Sequence, residues 1–320
     1  MEVSIESRLW GCAVGAAAGD ALGMPLEFGP PRPAERLARE MEAGRLPAGS
    51  FTDDTEMALA LAESLVDNCP LDAADLAERF VRWYRAGPPD VGIQTAKVLG
   101  RIARGEAWSA AAGAVQAARP DSAGNGSVMR CWPVALAHWN DLPALLADSR
   151  LQSQVTHPHP ECVAGSALIN ATIYFLVHEA GPQEAVRQAL EAVHDAPPGL
   201  RQAVEAAPSR PRAELTNSGW VRHTVESATW GLLTTGSFEE AVVQVANLGN
   251  DADTAAAVVG ALAGAAYGLE AIPRRWREAL RGELPWQPGR VWRAADLVEL
   301  ASKLAGCAGA RGQAGGGVNG

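Results

Sequence analysis

Apolar positions recur at helical spacing along nearly the whole chain, and no stretch alternates apolar and polar residues for long enough to require a strand. The pattern predicts an all-α fold, a single compact multi-helix domain. Helices are expected over 7–23, 54–68, 72–86, 91–104, 127–139, 160–179, 182–194, 220–235, 237–248, 253–269 and 292–305. Pro70, Pro88-Pro89, Pro197-Pro198 and the stretch from Pro208 to Pro211 separate them. Ser237 with Glu240 reads as a capping box, and Gly249 behind Leu248 as a C-terminal cap.

Two predicted helices carry glycine at every fourth position: Gly11, Gly15, Gly19 and Gly23 in the first, Gly260, Gly264 and Gly268 in the one over 253–269. Residues four apart share a helix face, so each helix has a groove without side chains. The grooves predict a close pairing that would bring the two ends of the chain to one place. The plainer account is that glycine is simply abundant, at 33 residues.

Composition narrows this picture only in places. Apolar residues make up 48% of 320, much of it alanine, which suits closely packed helices, and no linker divides the chain. One domain over 1–305 is expected, followed by a flexible glycine-rich tail over 306–320, in a monomer. The net charge of −10 excludes a broad surface for duplex nucleic acid, but not an anion held by local amides and cations. Five cysteines without a C-x-x-C pair, and a start without a basic-then-apolar leader, predict a reducing, cytoplasmic setting. Thr254 to Leu269 is too short to span a bilayer and reads as a buried helix, so no membrane partner is expected.

The chemistry concentrates in two acid clusters. Thr52-Asp53-Asp54-Thr55 opens one predicted helix, and Asn250-Asp251-Ala252-Asp253-Thr254 opens another almost 200 residues later. Either cluster alone is consistent with capping, since acids suit the first turn of a helix. Together, if the helix starts converge, four carboxylates share a small space, and bound cations relieve their repulsion most economically. An all-oxygen ligand set favours Mg2+ or Mn2+ over zinc, and two ions over one. Glu27, just past the first helix, could aim a water at them. Asp20 either supports the site from behind or caps a neighbouring segment.

Gly124-Asn125-Gly126-Ser127 before the helix expected at Val128 is an anion-binding design, suited to a pyrophosphate. Thr156-His157-Pro158-His159-Pro160-Glu161-Cys162 invites a zinc reading, but no second soft-ligand cluster completes it. His157 is better placed to contact substrate, and Pro160 to start the next helix. His194-Asp195, followed by Ala196-Pro197-Pro198, reads as a helix end rather than as part of a histidine-aspartate phosphohydrolase site.

Taken in order, Gly19-Asp20-x-x-Gly23-x-x-x-Glu27, Thr52-Asp53-Asp54-Thr55, Gly124-Asn125-Gly126-Ser127-x-Met129-Arg130, Thr156-His157 and Asp251-x-Asp253-Thr254 resemble the ADP-ribosylglycohydrolase family, as does Ile272-Pro273-x-x-Trp276. The resemblance implies an orthogonal, all-helical fold with a dinuclear Mg2+ or Mn2+ site. Thr52, Asp53, Asp54, Asp251, Asp253 and Thr254 match its metal ligands, and Glu27 a glutamate beside the metals that gates or positions substrate. Gly124, Asn125, Gly126, Ser127, Met129 and His157 match ADP-ribose contacts. Asp90-Val91-Gly92-Ile93 looks most like the bacterial dinitrogenase reductase-activating branch, where the aspartate suits a guanidinium; after Pro88-Pro89 it could equally be an N-cap.

The implied reaction is hydrolysis between the anomeric carbon of the distal ribose and an acceptor, foremost arginine on an ADP-ribosylated protein, with a small ADP-ribose conjugate as the other partner. The implied catalytic set is Glu27, Asp53, Asp54 and Asp253. The sequence leaves open which of Asp53, Asp54, Asp251 and Asp253 is the base. It also leaves open serine- or O-acetyl-linked substrates, and a relative that binds ADP-ribose without turning it over.

Overall fold

A computed structural model describes the backbone of residues 3–314 and side chains as far as Cys307. Its α-helices are α1 (Ile5–Gly23), α2 (Asp53–Asp67), α3 (Ala73–Arg85), α4 (Ile93–Ile102), α5 (Trp108–Ala118), α6 (Trp132–Ala137), α7 (Leu142–Gln154), α8 (Pro160–Val177), α9 (Pro182–Ala192), α10 (Pro198–Ala206), α11 (Val221–Thr234), α12 (Phe238–Ala246), α13 (Ala252–Tyr267), α14 (Arg274–Ala279) and α15 (Ala294–Ala314). The strands among the described residues are β1 (Arg281–Glu283) and β2 (Val291–Arg293), an antiparallel ribbon with Gly282 opposite Trp292.

The centre of the molecule is the contact between α1 and α13, made backbone to backbone. A Cβ added at Gly264 would lie 1.9 Å from the Gly11 carbonyl oxygen, one at Gly15 would lie 2.3 Å from that of Gly260, and one at Gly19 would lie 1.9 Å from that of Ala256. Gly23 stands in the same way over Ala252. Early residues of α1 therefore meet late residues of α13, and the helices run antiparallel. That register carries the C-terminal end of α1 to the N-terminal end of α13, where the second acid cluster begins. Gly268, at φ +80°, ends α13, and its amide donates to the Gly264 carbonyl at 2.8 Å.

Around this pair the core is built from alanine, leucine and valine. α8 is the one described helix long and apolar enough to cross a membrane, and 83% of it is buried inside the fold. α15 packs against α1, α2 and α6, joining the two ends of the chain.

Several expectations require correction. The helix expected over 127–139 is only α6, because Gly124 to Cys131 form turns: Gly124 bridges to Trp220, and the Val128 and Met129 amides both donate to the Asn125 carbonyl, at 3.0 and 3.2 Å. Helices α5, α7, α10 and α14 and the strand pair were not foreseen. α15 continues through Ala314, so the tail expected from 306 is helical that far, and 315–320 lie outside the described residues. Ser237 accepts the Glu240 amide at 3.2 Å, but the Glu240 carboxylate turns to Arg39, so only half of the capping box forms.

Candidate active site

α2 begins at Thr52, whose extended backbone is that of an N-cap although its side chain does not cap. The capping comes instead from Asp20 on α1, which accepts from the Thr52 amide (2.9 Å), the Thr55 amide (3.2 Å) and the Thr55 hydroxyl (2.6 Å). With the Thr52 and Thr55 amides satisfied from across the fold, the Asp53 and Asp54 side chains line a cavity instead of capping the helix. At α13, Asp251 likewise makes no capping bond, and its carboxylate accepts from Asn125 Nδ2 at 2.7 Å.

The two helix starts converge as the glycine stripes imply. One carboxylate oxygen from each of Asp20, Asp54 and Asp253 lies within 4.8 Å of the others, and the same holds for Glu27, Asp251 and Asp253. Asp253 belongs to both groups and is 2% exposed. Asp54 is as deeply buried; its Oδ2 accepts from the Thr52 hydroxyl at 3.2 Å, and its Oδ1 has no partner. Burial first, then the neighbouring carboxylates, pushes Asp53, Asp54 and Asp253 well above the usual carboxylate range. Asp20 and Asp251 are raised by burial, an effect opposed by the hydrogen bonds they accept. A buried, partnerless carboxylate oxygen among like charges fits a hard divalent cation, and an acid shared between two groups fits a pair of them.

The cavity encloses about 740 Å³, within the range of small-molecule sites. Glu27, Asp53, Asp54, Asp90, Asp251, Asp253 and Thr254 all line it, and so do Gly124, Asn125, Gly126, Met129 and His157. Two expected residues stand behind its wall. Thr52 reaches only Asp54, and Ser127 is wholly buried, its hydroxyl accepting from Ser153 Oγ at 2.8 Å. The anion site expected at the N-terminus of the helix after Ser127 is a turn, with Asn125 Nδ2 also donating to the Thr224 hydroxyl at 3.0 Å. Asp90 is not an N-cap: Gly92 takes that position before α4, and the Asp90 carboxylate lies 3.1 Å from Arg45.

Other motifs resolve into structure. The His159 ring accepts the Glu161 amide at the start of α8, Glu161 pairs with Arg222 and accepts from Trp220, and the Cys162 thiol donates to the Gly124 carbonyl. Asp195 pairs at the surface with Arg150.

Arg45 was not anticipated. Its guanidinium pairs with Glu27, with Asp90 and with Asp253 (3.3 Å). The loop carrying it is pressed onto Pro25 at Gly44, where a Cβ would lie 2.9 Å from the Pro25 Cα. Phe28 and Ile93 were also missed. They line the cavity at 81% and 70% exposure, and Phe28, at φ +62°, is held by its amide donating to the Asn250 carbonyl at 2.7 Å.

A family model described as ADP-ribosylglycohydrolase matches residues 1–313. The ADP-ribosylarginine hydrolase Tri1 of Pseudomonas putida (strain GB-1) is 35% identical over 281 residues, covering 85% of this chain and 73% of that protein. The ADP-ribosyl-[dinitrogen reductase] glycohydrolase of Rhodospirillum rubrum is 33% identical over 287 residues, 87% of this chain and 91% of that one. A solved structure titled ADP-ribosylglycohydrolase-related protein complex superposes with a TM-score of 0.79 at 34% identity, covering 95% of this chain and 99% of its own. With nearly its whole length matched and its acids converging in one cavity, the chain belongs to the ADP-ribosylglycohydrolase family.

Proposed function

We propose that the protein hydrolyses the bond between the anomeric carbon of the distal ribose of ADP-ribose and an acceptor, foremost the guanidinium of an ADP-ribosylated arginine. Asp53, Asp54, Asp251 and Asp253, with Thr52 and Thr254 beside them, would hold two divalent cations, Mg2+ or Mn2+. The observation that carries this reading is Asp253, shared between a buried group of acids and a half-buried one in a ligand-sized cavity that Asp54, with its orphaned Oδ1, also lines. Such cations, when bound, supply Lewis acidity and a nucleophilic water near neutral pH.

The chain's own groups account for the rest. A carboxylate of the cluster takes a proton as the water oxygen bonds to the anomeric carbon; the bond to the acceptor nitrogen breaks, and the carboxyl group returns that proton to the leaving nitrogen. Asn125 fixes Asp251 through its hydrogen bond, and His157 with the Gly124–Gly126 turn faces the ligand. For the acceptor, the support is twofold. The two curated relatives above are named for ADP-ribosylarginine and for a dinitrogen reductase conjugate, and here Glu27 and Asp90 already receive a guanidinium, that of Arg45.

The test is release of ADP-ribose from arginine-modified protein, run beside serine- and O-acetyl-linked ADP-ribose, with Mg2+, with Mn2+ and with chelator. Cation-dependent release from the arginine conjugate is expected. Release from the serine conjugate alone would overturn the acceptor, and ADP-ribose binding without release from any substrate would overturn the hydrolase.

A further inference from the structure

Arg130 is a buried cation with no carboxylate at ion-pair distance among the described residues. Its guanidinium lies 4.2 Å from the Phe80 ring centroid and donates to the Gln152 carbonyl (3.1 Å), the Gln152 side chain (3.2 Å) and the Thr156 hydroxyl (2.7 Å). Burying an unpaired charge is costly, and burial lowers its pKa to about 9. It faces the back of a cavity residue, His157, through one intermediary, since Thr156 Oγ1 also lies 2.8 Å from His157 Nδ1.

An arginine can only donate, so the Thr156 oxygen is the acceptor in its bond with Arg130. Thr156 is wholly buried, and the ring nitrogen is the acceptor in reach of its single hydrogen. If Nδ1 donated instead, two donors would crowd one oxygen and the hydroxyl hydrogen would be buried unmet. His157 is itself buried, and burial with the nearby Arg130 holds its pKa at about 3, so the ring is neutral. A neutral ring that accepts at Nδ1 carries its hydrogen on Nε2. That edge stands over the bare Cα atoms of the cavity turn: a Cβ on Gly126 would lie 3.1 Å from Nε2, and one on Gly124 3.3 Å.

We infer that Arg130 and Thr156 are positioning residues that lock His157 as an Nε2–H donor aimed into the cavity, for a pyrophosphate oxygen of the ligand. A cavity crowded with carboxylates needs one face that welcomes an anion, and a neutral donor backed by a buried cation provides it. The identity of the ligand rests on the proposed function; the tautomer does not.

The test uses protein labelled with 15N-histidine. The free wild-type protein should show the Nε2–H form of His157, with its signal moving on addition of ADP. Thr156→Val should mix the tautomers and weaken ADP and ADP-ribose about tenfold, equivalent to about 1.4 kcal/mol, while Mn2+ binding stays unchanged. Thr156→Ser should restore both readouts. In a His157→Ala background Thr156→Val should cost nothing further, because Thr156 acts only through the ring. An Nδ1–H tautomer in the wild type overturns the inference even if Thr156→Val fails to fold, and so does full ADP affinity in a folded Thr156→Val. None of these readouts needs turnover, so a failed hydrolase reading would appear separately.

Discussion

Asp253 and Asp20 are both buried acids of one cluster, yet they do different work, and substitution should separate them. Asp253 lies in both oxygen groups and accepts from its own neighbour's amide and from Arg45. Asp253→Asn should abolish tight Mn2+ binding by calorimetry and lower ADP-ribose release by at least about 100-fold, while leaving the fold intact. Asp20 holds the start of α2 through three donors. Asp20→Asn should instead cost about 1–3 kcal/mol in denaturant unfolding. Arg45 competes with a cation for Asp253, so Arg45→Ala should tighten Mn2+ about tenfold; an unchanged affinity would remove Arg45 from the cluster's electrostatics. The acids themselves were legible as types at helix starts. What the sequence could not divide was capping from ligation, because the cap of α2 comes from a residue more than thirty positions away. Arg45 carried no signal at all, being one basic residue in a turn-rich loop whose position is set by packing on Pro25.

At the scale of elements, the glycine stripes were the most informative local feature, since a four-residue repeat of bare Cα atoms on two helices specifies both a contact and its face. Their cost when broken is testable. Gly19→Ala or Gly264→Ala puts a methyl 1.9 Å from a facing carbonyl oxygen, with backbone rather than a movable side chain in the way. Each should destabilise by at least about 2 kcal/mol and weaken Mn2+ binding by parting the two helix starts. Gly113→Ala on α5, where nothing lies within 4 Å, should instead stabilise by about 0.5–1 kcal/mol. Equal effects from the two kinds of glycine would refute the pairing as the organiser of the site. The missed helices have a physical explanation. α5 reads Trp-Ser-Ala-Ala-Ala-Gly-Ala-Val, too uniform to show a face, and α14 is a helix of only 6 residues after Pro273, too short to show a repeat. The turns over 127–131 were misread as the start of a helix because the segment is fixed from Gly124 and Asn125, which meet Trp220 and Gly219 nearly 100 residues later.

Over the whole molecule, the acid cluster sits where α1, α2 and α13 meet, so its charge loads the same contact that joins the two ends of the chain. Asp53, Asp54 and Asp253 are raised by burial and mutual repulsion, and Glu56, buried behind them with Trp83 Nε1 at 2.7 Å, is raised by burial to about 7. A carboxyl whose pKa is higher folded than unfolded binds its proton more tightly in the folded state. Its stabilising contribution is complete below the ordinary value and is lost as pH rises through the folded one, for Glu56 between 4.5 and about 7. Chelator-treated protein should therefore melt at progressively lower temperature as the buffer is raised through that window. Divalent cations need the deprotonated carboxylates, so the stabilisation by Mn2+ should grow over the same window and flatten the curve. With Mn2+ at about 100 times its dissociation constant the gain is about 2.7 kcal/mol, or roughly 4 °C in Tm for a chain of 320 residues. Asp253→Asn should lose that gain and keep a shallower pH slope, since one of the repelling charges is gone. A melting temperature indifferent to both pH and Mn2+ would mean that the cluster is neutralised from within the chain, with Arg45 as the counter-ion.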